Sequence, residues 1–200
     1  NDTLYILGDV VDRGKDGMKI LLDIADRENV ILVRGNHDDL ALLILQQMSE
    51  VDASDDKVLA AKMQIWCAIG GKQTLKQYLA LSDEDKKIVL NVITSSKLFH
   101  EITVGGVNYI LTHSVPEKKL FKDIASCEAF DLLWGEPDYN DEYYADRVIV
   151  TGHNITEFIG KEYAGKIYIK HNHIAVDCGA AYRYPLGCIR LDDMKEFYIK

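Results

Sequence analysis

Four side chains with metal-binding chemistry each follow a strand-like segment of the sequence: Asp9, Asn36, His113 and His153. One carboxylate, one amide oxygen and two imidazoles make a mixed oxygen and nitrogen set, which suits Mn²⁺, Fe²⁺ or Zn²⁺ better than Ca²⁺. Asp9 can bridge two ions, and two ions can hold a phosphoryl group and activate water for attack. Taken singly, the four could be a helix cap, a turn residue and two structural histidines. Because all four lie at strand ends, we predict that they converge on one metal ion.

The placement of Asp9 and Asn36 depends on a predicted βαβ unit. Thr3–Leu7 and Val30–Val33 are apolar runs typical of buried strands, and Asp16–Asn29 carries apolar residues at helical spacing. Such a unit pairs its strands in parallel, with a right-handed crossover. Both side chains should therefore emerge at the same edge of the sheet, where loops of open α/β sheets form sites.

The rest of the chain divides into a helical part and a strand-rich part. Asp39–Met48 predicts a helix, and an insert at about residues 50–97 predicts two to four more without recognisable chemistry. Two strands, Leu98–Val104 and Val107–Thr112, flank a Gly-Gly hairpin signal. Arg147–Thr151 predicts another buried strand. Four later segments suggest a run of antiparallel strands: Ile167–Ile169, His173–Val176, Leu186–Leu191 and Glu196–Ile199. We predict a layered α/β fold with a helical insert, in a single domain over residues 1–200.

Composition limits the classes of partner and compartment. The net charge of −9 and the pI of about 5.1 argue against binding a nucleic-acid backbone. No apolar run is long enough to span a bilayer, and the sequence does not open with a signal-peptide pattern. The four cysteines, none in a CxxC pair, indicate free thiols in a reducing cytoplasm: Cys67, Cys127, Cys178 and Cys188.

Four motifs together resemble the calcineurin-like metallophosphoesterases. They are GDVVDRG at Gly8–Gly14, GNHD at Gly35–Asp38, LTH at Leu111–His113 and TGHNIT at Thr151–Thr156. A tail, DCGAAYRYPLGCIRLDD at Asp177–Asp193, is similar to the segment that follows the last ligand in the serine/threonine protein phosphatase branch. That branch includes bacterial relatives such as the symmetrical diadenosine tetraphosphate hydrolases. The resemblance implies a metallophosphoesterase-type β-sandwich flanked by helices.

The resemblance also implies a role for each site residue. Asp9 would bridge two divalent metal ions, for which Mn²⁺ is the first choice and Fe or Zn are alternatives. The coordination of the second ion would be completed by Asn36, His113 and His153. His37 would be the general acid that protonates the leaving oxygen, Asp12 would orient it and Arg13 would hold the phosphate. For Arg34 we favour a structural ion pair over phosphate binding.

The sequence departs from the family pattern at three points. The first family motif, an Asp-x-His after an initial strand, is absent, and we expect it to lie upstream of Asn1. Glu136 stands where relatives carry a second phosphate-binding arginine, and Arg183 is our candidate replacement. Asp38 replaces the Glu common in eukaryotic members, which fits a bacterial origin.

The predicted function is metal-dependent phosphomonoester hydrolysis, with a serine/threonine protein phosphatase preferred. The alternatives are a bis(5′-nucleosyl)-tetraphosphatase-like phosphoanhydride hydrolase and a catalytically silent relative that binds a phospho-ligand. The partner is therefore a phosphorylated protein or a small phosphate substrate, with no membrane partner, and the oligomeric state is left open. His171 and His173 alternate as on a strand, so both should face one way in surface or hydrogen-bonded roles. Tyr139, Tyr143 and Tyr144 could line a substrate groove or pack a loop.

Overall fold

The computed structural model describes residues 2–50 and 56–200. The chain divides into two compact units, Asn1–Lys97 and Leu98–Lys200. Residues 51–55 of the predicted insert lie outside the described residues. Whether the two units act as one domain stays a prediction.

The first unit begins with the predicted βαβ element. Strands β1 (Leu4–Ile6) and β2 (Val30–Leu32) pair in parallel, which confirms the predicted direction. Helix α1 (Gly17–Ala25) connects them and buries Met18 and Leu21, whose spacing places both on one face. The carboxyl ends of β1 and β2 therefore lie at the same edge.

Helix α2 spans Asn36–Glu50 and begins three positions earlier than the predicted Asp39. The GNHD motif is thus the start of a helix, and Asn36 and His37 are its first two residues. Asp38 and Asp39 follow in the first turn, where negative charge is favourable to the helix dipole. The predicted helix start at Asp39 is therefore three residues late, because these carboxylates support an earlier start.

The predicted insert contains three α-helices in its described part. They are α3 (Lys57–Trp66), α4 (Lys72–Leu79) and α5 (Asp83–Ser95), and a kinked segment at Cys67–Gly71, in which Gly70 has φ of 133°, joins the first two. Ser82 caps α5 through its side chain, as its position before an acidic turn predicts. The core of this unit draws on α1 to α5, and its fully buried members include Leu21, Ile44, Leu45, Trp66, Val89 and Ile93.

The second unit contains a five-stranded sheet in the order β3-β4-β5-β7-β6. Its strands are β3 (Phe99–Val104), β4 (Val107–Thr112), β5 (Arg147–Thr151), β6 (Tyr168–Lys170) and β7 (His173–Ala175). The β3–β4 hairpin is confirmed, but β4, β5 and β7 run parallel to one another. This parallel pairing follows from long connections that return the chain to the same sheet edge before each of these strands. Strands β6 and β7 pair in the antiparallel sense, as the predicted run of antiparallel strands requires.

The remaining elements of the second unit are short. Helix α6 spans Ala129–Trp134, and strands β8 (Leu186–Arg190) and β9 (Lys195–Ile199) form the predicted antiparallel pair. One-turn 3₁₀ helices occur at Ile124–Ser126, Thr156–Phe158, Lys161–Tyr163 and Ala180–Tyr182. The mixed α/β class is confirmed. Among residues 2–50 and 56–200, none of the helices combines the length and apolar character needed to cross a bilayer.

Candidate active site

Asp9 lies in a sharp turn beyond the end of β1. Gly8 and Asp9 both have left-handed backbone, with φ of 88° and 56°. A β-carbon on Gly35 would lie 2.3 Å from Asp9 Oδ1, so only glycine permits this close approach. The same carboxylate oxygen accepts the backbone N–H of His37 at 3.0 Å. The start of α2 therefore packs directly on Asp9.

Asp38 is a buried residue that joins the first two motifs. Its carboxylate accepts backbone N–H groups from Asp9 at 2.8 Å, Val10 at 3.0 Å and Gly35 at 3.0 Å. Burial and the neighbouring Asp9 charge raise the pKa of Asp38, and these backbone donors oppose the rise. Sequence reasoning used Asp38 only as a sign of origin. Its place in a helical first turn could have indicated the bond to Gly35, but not the bonds to distant residues.

His37 lies between Asp12 and Arg13. His37 Nδ1 is 2.6 Å from Asp12 Oδ2, and His37 Nε2 is 2.9 Å from Arg13 Nη2. A guanidinium group only donates, so Nε2 accepts from Arg13 and Nδ1 carries the proton that Asp12 accepts. The structure thus brings the three predicted catalytic residues together, and their catalytic role stays a prediction.

Asn36 is buried and follows β2 as Asp9 follows β1. Because these strands are parallel neighbours, both residues lie at one sheet edge. Arg34 instead binds away from this edge: its guanidinium pairs with Asp39 at 3.2 Å and donates to Ser96 O at 3.0 Å. This arrangement agrees with the structural ion pair favoured for Arg34.

His113 and His153 form the corresponding pair in the second unit. They follow the parallel neighbours β4 and β5, and His113 Nε2 lies 3.1 Å from His153 Nδ1. Two nitrogens bound at right angles about 2.1 Å from one ion would be about 3 Å apart. The spacing therefore fits a shared divalent ion as well as an N–H···N hydrogen bond.

The end of α6 packs beside the histidine pair. Ser114 Oγ donates to Gly135 O at 2.8 Å, and a β-carbon on Gly135 would lie 2.2 Å from a backbone oxygen. Glu136 follows and accepts the side-chain amide of Asn154 at 3.1 Å. Glu136, which stands where relatives carry an arginine, is thus hydrogen-bonded to Asn154, the residue after His153.

The other sequence candidates have varied surroundings. Arg183 is exposed, with φ of 74°, and its substrate-binding role stays a prediction. Tyr143 is buried and its hydroxyl donates to Pro116 O at 2.8 Å, which favours the loop-packing interpretation. The prediction that His171 and His173 face the same way on one strand is wrong. His171 is exposed in the β6–β7 turn at φ 53°, whereas His173 is buried at the start of β7.

Left-handed backbone is concentrated at the predicted site. Among the described residues, eight non-glycine positions have positive φ, and five of these are predicted site residues: Asp9, Asp12, Arg13, His153 and Arg183. Such conformations cost about 1–3 kcal/mol each and persist where surrounding structure enforces them. The ligand set is divided between the units, Asp9 with Asn36 and His113 with His153. Their meeting at one ion stays a prediction.

Comparison with known proteins gives matches to a family profile, to curated proteins and to solved structures. The sequence profile of the family described as Calcineurin-like phosphoesterase matches residues 1–177. A symmetrical bis(5′-nucleosyl)-tetraphosphatase of Nitrosospira multiformis is 30% identical over 114 residues, which cover 56% of this chain and 33% of that protein. The matched segment thus spans about a third of the curated relative. A crystal structure of a candidate diadenosine tetraphosphatase is similar in fold, with a TM-score of 0.65 and 15% identity over 100% of this chain and 80% of that one.

Proposed function

Because this chain belongs to the calcineurin-like phosphoesterase family, we propose that it hydrolyses the phosphoanhydride bonds of symmetrical dinucleoside tetraphosphates. The names of the two similar proteins support this substrate class over the phosphoprotein first expected. The observation that carries a hydrolytic role is the arrangement of His37 between a carboxylate and a guanidinium group. A cytoplasmic location and a small phosphate substrate complete the proposal.

The proposal assigns the metal ligands as the family pattern does. Asp9, Asn36, His113 and His153 would hold a divalent ion, with Asp9 bridging to a second, and Mn²⁺ is our first choice. Support comes from the mixed donor set and from the 3.1 Å spacing of the two imidazole nitrogens. Bound ions of this kind supply an activated water and neutralise phosphoryl charge.

The chain's own residues would then bind the substrate and deliver a proton. Arg13 is exposed, and its guanidinium can bind two phosphate oxygens at once. When Arg13 turns to the phosphate, it leaves His37 Nε2 open towards the substrate. Nε2 would then take up a proton from solvent and donate it to the leaving phosphate oxygen, while Asp12 accepts the N–H of the opposite ring nitrogen at 2.6 Å.

The test is hydrolysis of diadenosine tetraphosphate by the full-length, Mn²⁺-loaded protein, with a phosphoserine peptide and p-nitrophenyl phosphate in parallel. We expect two ADP per substrate and a lower kcat/KM for the phosphopeptide. His37→Asn should lower kcat by about 10²–10⁴-fold, whereas His171→Asn should leave it unchanged because His171 is exposed in a turn. Faster turnover of the phosphopeptide would favour the protein phosphatase. No turnover of any of the three substrates would favour the silent binder.

A further inference from the structure

The Asp12 carboxylate is held by side chains of the helical insert as well as by His37. Trp66 Nε1 lies 3.1 Å from Asp12 Oδ1 and 3.0 Å from Oδ2. Thr74 Oγ1 donates to Asp12 Oδ1 at 2.7 Å. Trp66 and Thr74 are 0% and 1% exposed, so these hydrogen bonds are made out of contact with water. Both oxygens of Asp12 thus have fixed donors before His37 is counted.

Thr74 also holds the backbone of the residue that it positions. Its Oγ1 accepts the Asp12 N–H at 2.8 Å while donating to the Asp12 carboxylate. Asp12 has φ of 68°, a conformation that surrounding contacts must maintain. A single threonine therefore fixes both the main chain and the side chain of Asp12.

The kinked segment Cys67–Gly71 lies between Trp66 and Thr74, which both donate to the Asp12 carboxylate. Trp66 ends α3, Thr74 lies in the first turn of α4, and Cys67–Gly71 joins these helices. A β-carbon on Gly71 would lie 2.3 Å from the Trp66 ring, so glycine permits the ring to pack against this segment.

We propose that Trp66 and Thr74 are positioning residues that hold Asp12 in the orientation that aligns His37. The inference rests on the proposed function, in which His37 is the general acid. Asp12 can rotate about its side-chain bonds if either donor is lost, and His37 would then lose its fixed partner. Small displacements of a catalytic group lower the rate about 10²-fold. The insert, which carries Trp66 and Thr74, therefore contributes to catalysis by keeping His37 in position.

A purely structural role makes a different prediction. If Trp66 and Thr74 only satisfy a buried carboxylate, their loss should lower stability and affect all substrates alike. If they align the acid, the loss should fall on kcat and be greatest for leaving groups that need protonation. Phenyl phosphate has a poor leaving group, whereas p-nitrophenyl phosphate needs little help.

The experiment compares Thr74→Val and Trp66→Phe with the wild type on both aryl phosphates. We expect kcat for phenyl phosphate to fall by about 10–100-fold and kcat for p-nitrophenyl phosphate by less than about 3-fold, with KM unchanged. Thr74→Ser restores the hydroxyl and should recover most of the lost rate. Tyr78→Phe is the matched control, because it removes a hydroxyl one turn further along α4 without removing a donor to Asp12. Neither Thr74→Val nor Trp66→Phe should lower kcat further in an Asp12→Asn background.

A second measurement does not depend on activity. The His37 ring N–H that donates to Asp12 should give a downfield proton resonance, assigned by its loss in His37→Asn. We expect Thr74→Val to shift or broaden it and Tyr78→Phe to leave it intact. Equal kcat losses on both esters with an unchanged resonance would overturn the proposal. If the wild type hydrolyses neither diadenosine tetraphosphate nor either aryl phosphate, the proposed function fails, and the resonance alone decides whether Thr74 positions His37.

Discussion

Asp38 Oδ2 accepts the backbone N–H of Asp9 at 2.8 Å, across 29 positions of the sequence. This bond connects the GNHD motif to the turn of GDVVDRG. The second motif therefore does more than supply ligands, because its last residue shapes the loop that carries Asp9, Asp12 and Arg13. This hydrogen bond gives a physical reason for the two motifs to occur together.

Asp38→Asn should lower the free energy of unfolding by about 2–3 kcal/mol, because an amide nitrogen would face buried backbone N–H donors. Urea unfolding followed by circular dichroism measures the change. Asp39→Asn is the matched control: Asp39 neighbours Asp38 but forms a partly exposed pair with Arg34. Its loss should cost less than about 1 kcal/mol. Equal losses in the two variants would show that Asp38 does not organise the loop.

Gly70→Ala should weaken substrate binding through Arg13. Gly70 has φ of 133°, its carbonyl accepts the Arg13 N–H at 3.1 Å, and an added β-carbon would lie 2.8 Å from Arg13 Cγ. We expect KM for p-nitrophenyl phosphate to rise several-fold and stability to fall by about 1–2 kcal/mol. Gly105→Ala also introduces a side chain at positive φ, at 58°, but in open space away from Arg13, so its KM should not change. A KM equal to that of the wild type in Gly70→Ala would contradict this role.

Stability should fall as the pH drops below about 6.5, because His173 is buried. Desolvation lowers the pKa of His173 to about 3, and its Nε2 is 2.9 Å from Thr151 Oγ1. The unfolded state binds the proton near pH 6.5 and the folded state does not. The stabilisation is therefore complete above 6.5 and is lost progressively towards pH 3, by up to about 1.4 kcal/mol per pH unit.

Urea unfolding at several pH values between 7 and 5 checks this contribution. His173→Gln should flatten the dependence of unfolding free energy on pH in that range, whatever its effect at pH 7. His171→Gln should keep the wild-type slope, because His171 is exposed. A slope that survives in His173→Gln would assign the effect to another group.

His153→Ala should weaken Mn²⁺ binding at least about 10-fold, since even loss of an outer partner of a ligand costs about 10–100-fold. Isothermal titration calorimetry of the metal-stripped full-length protein measures the affinity. His113→Ala should have a similar effect, because the two imidazole nitrogens are 3.1 Å apart. His171→Ala is the control and should bind as the wild type does. An unchanged affinity in both site variants would remove these histidines from the ligand set.

Much of the local structure could be predicted from the sequence. The β5 bounds match the predicted Arg147–Thr151, and the β3–β4 hairpin follows from Gly105-Gly106, whose φ angles of 58° and 84° suit a tight turn. The family was also identified correctly from its motifs, because these residues combine special backbone and ligand chemistry in short segments. Such local signals do not depend on how distant segments pack.

The errors arose where tertiary contacts decide the outcome. Trp66 and Thr74 read as ordinary apolar and polar positions of an insert, and their bonds to Asp12 span 54 and 62 positions. The parallel pairing of β5 with β7 was not predicted, because it depends on a connection that periodicity does not describe. His171 and His173 were predicted to face the same way on one strand. Their i, i+2 spacing does not distinguish a strand from a turn followed by the start of a strand.

The left-handed backbone at Asp9 and His153 lowers the stability of the folded protein, yet both side chains are proposed to bind the metal ion. Glycine would relax the local conformation, since it adopts positive φ without steric cost. It would also delete a side chain proposed to hold the ion. Selection for thermal stability alone would therefore favour glycine at these positions, and such variants would lose a proposed metal ligand.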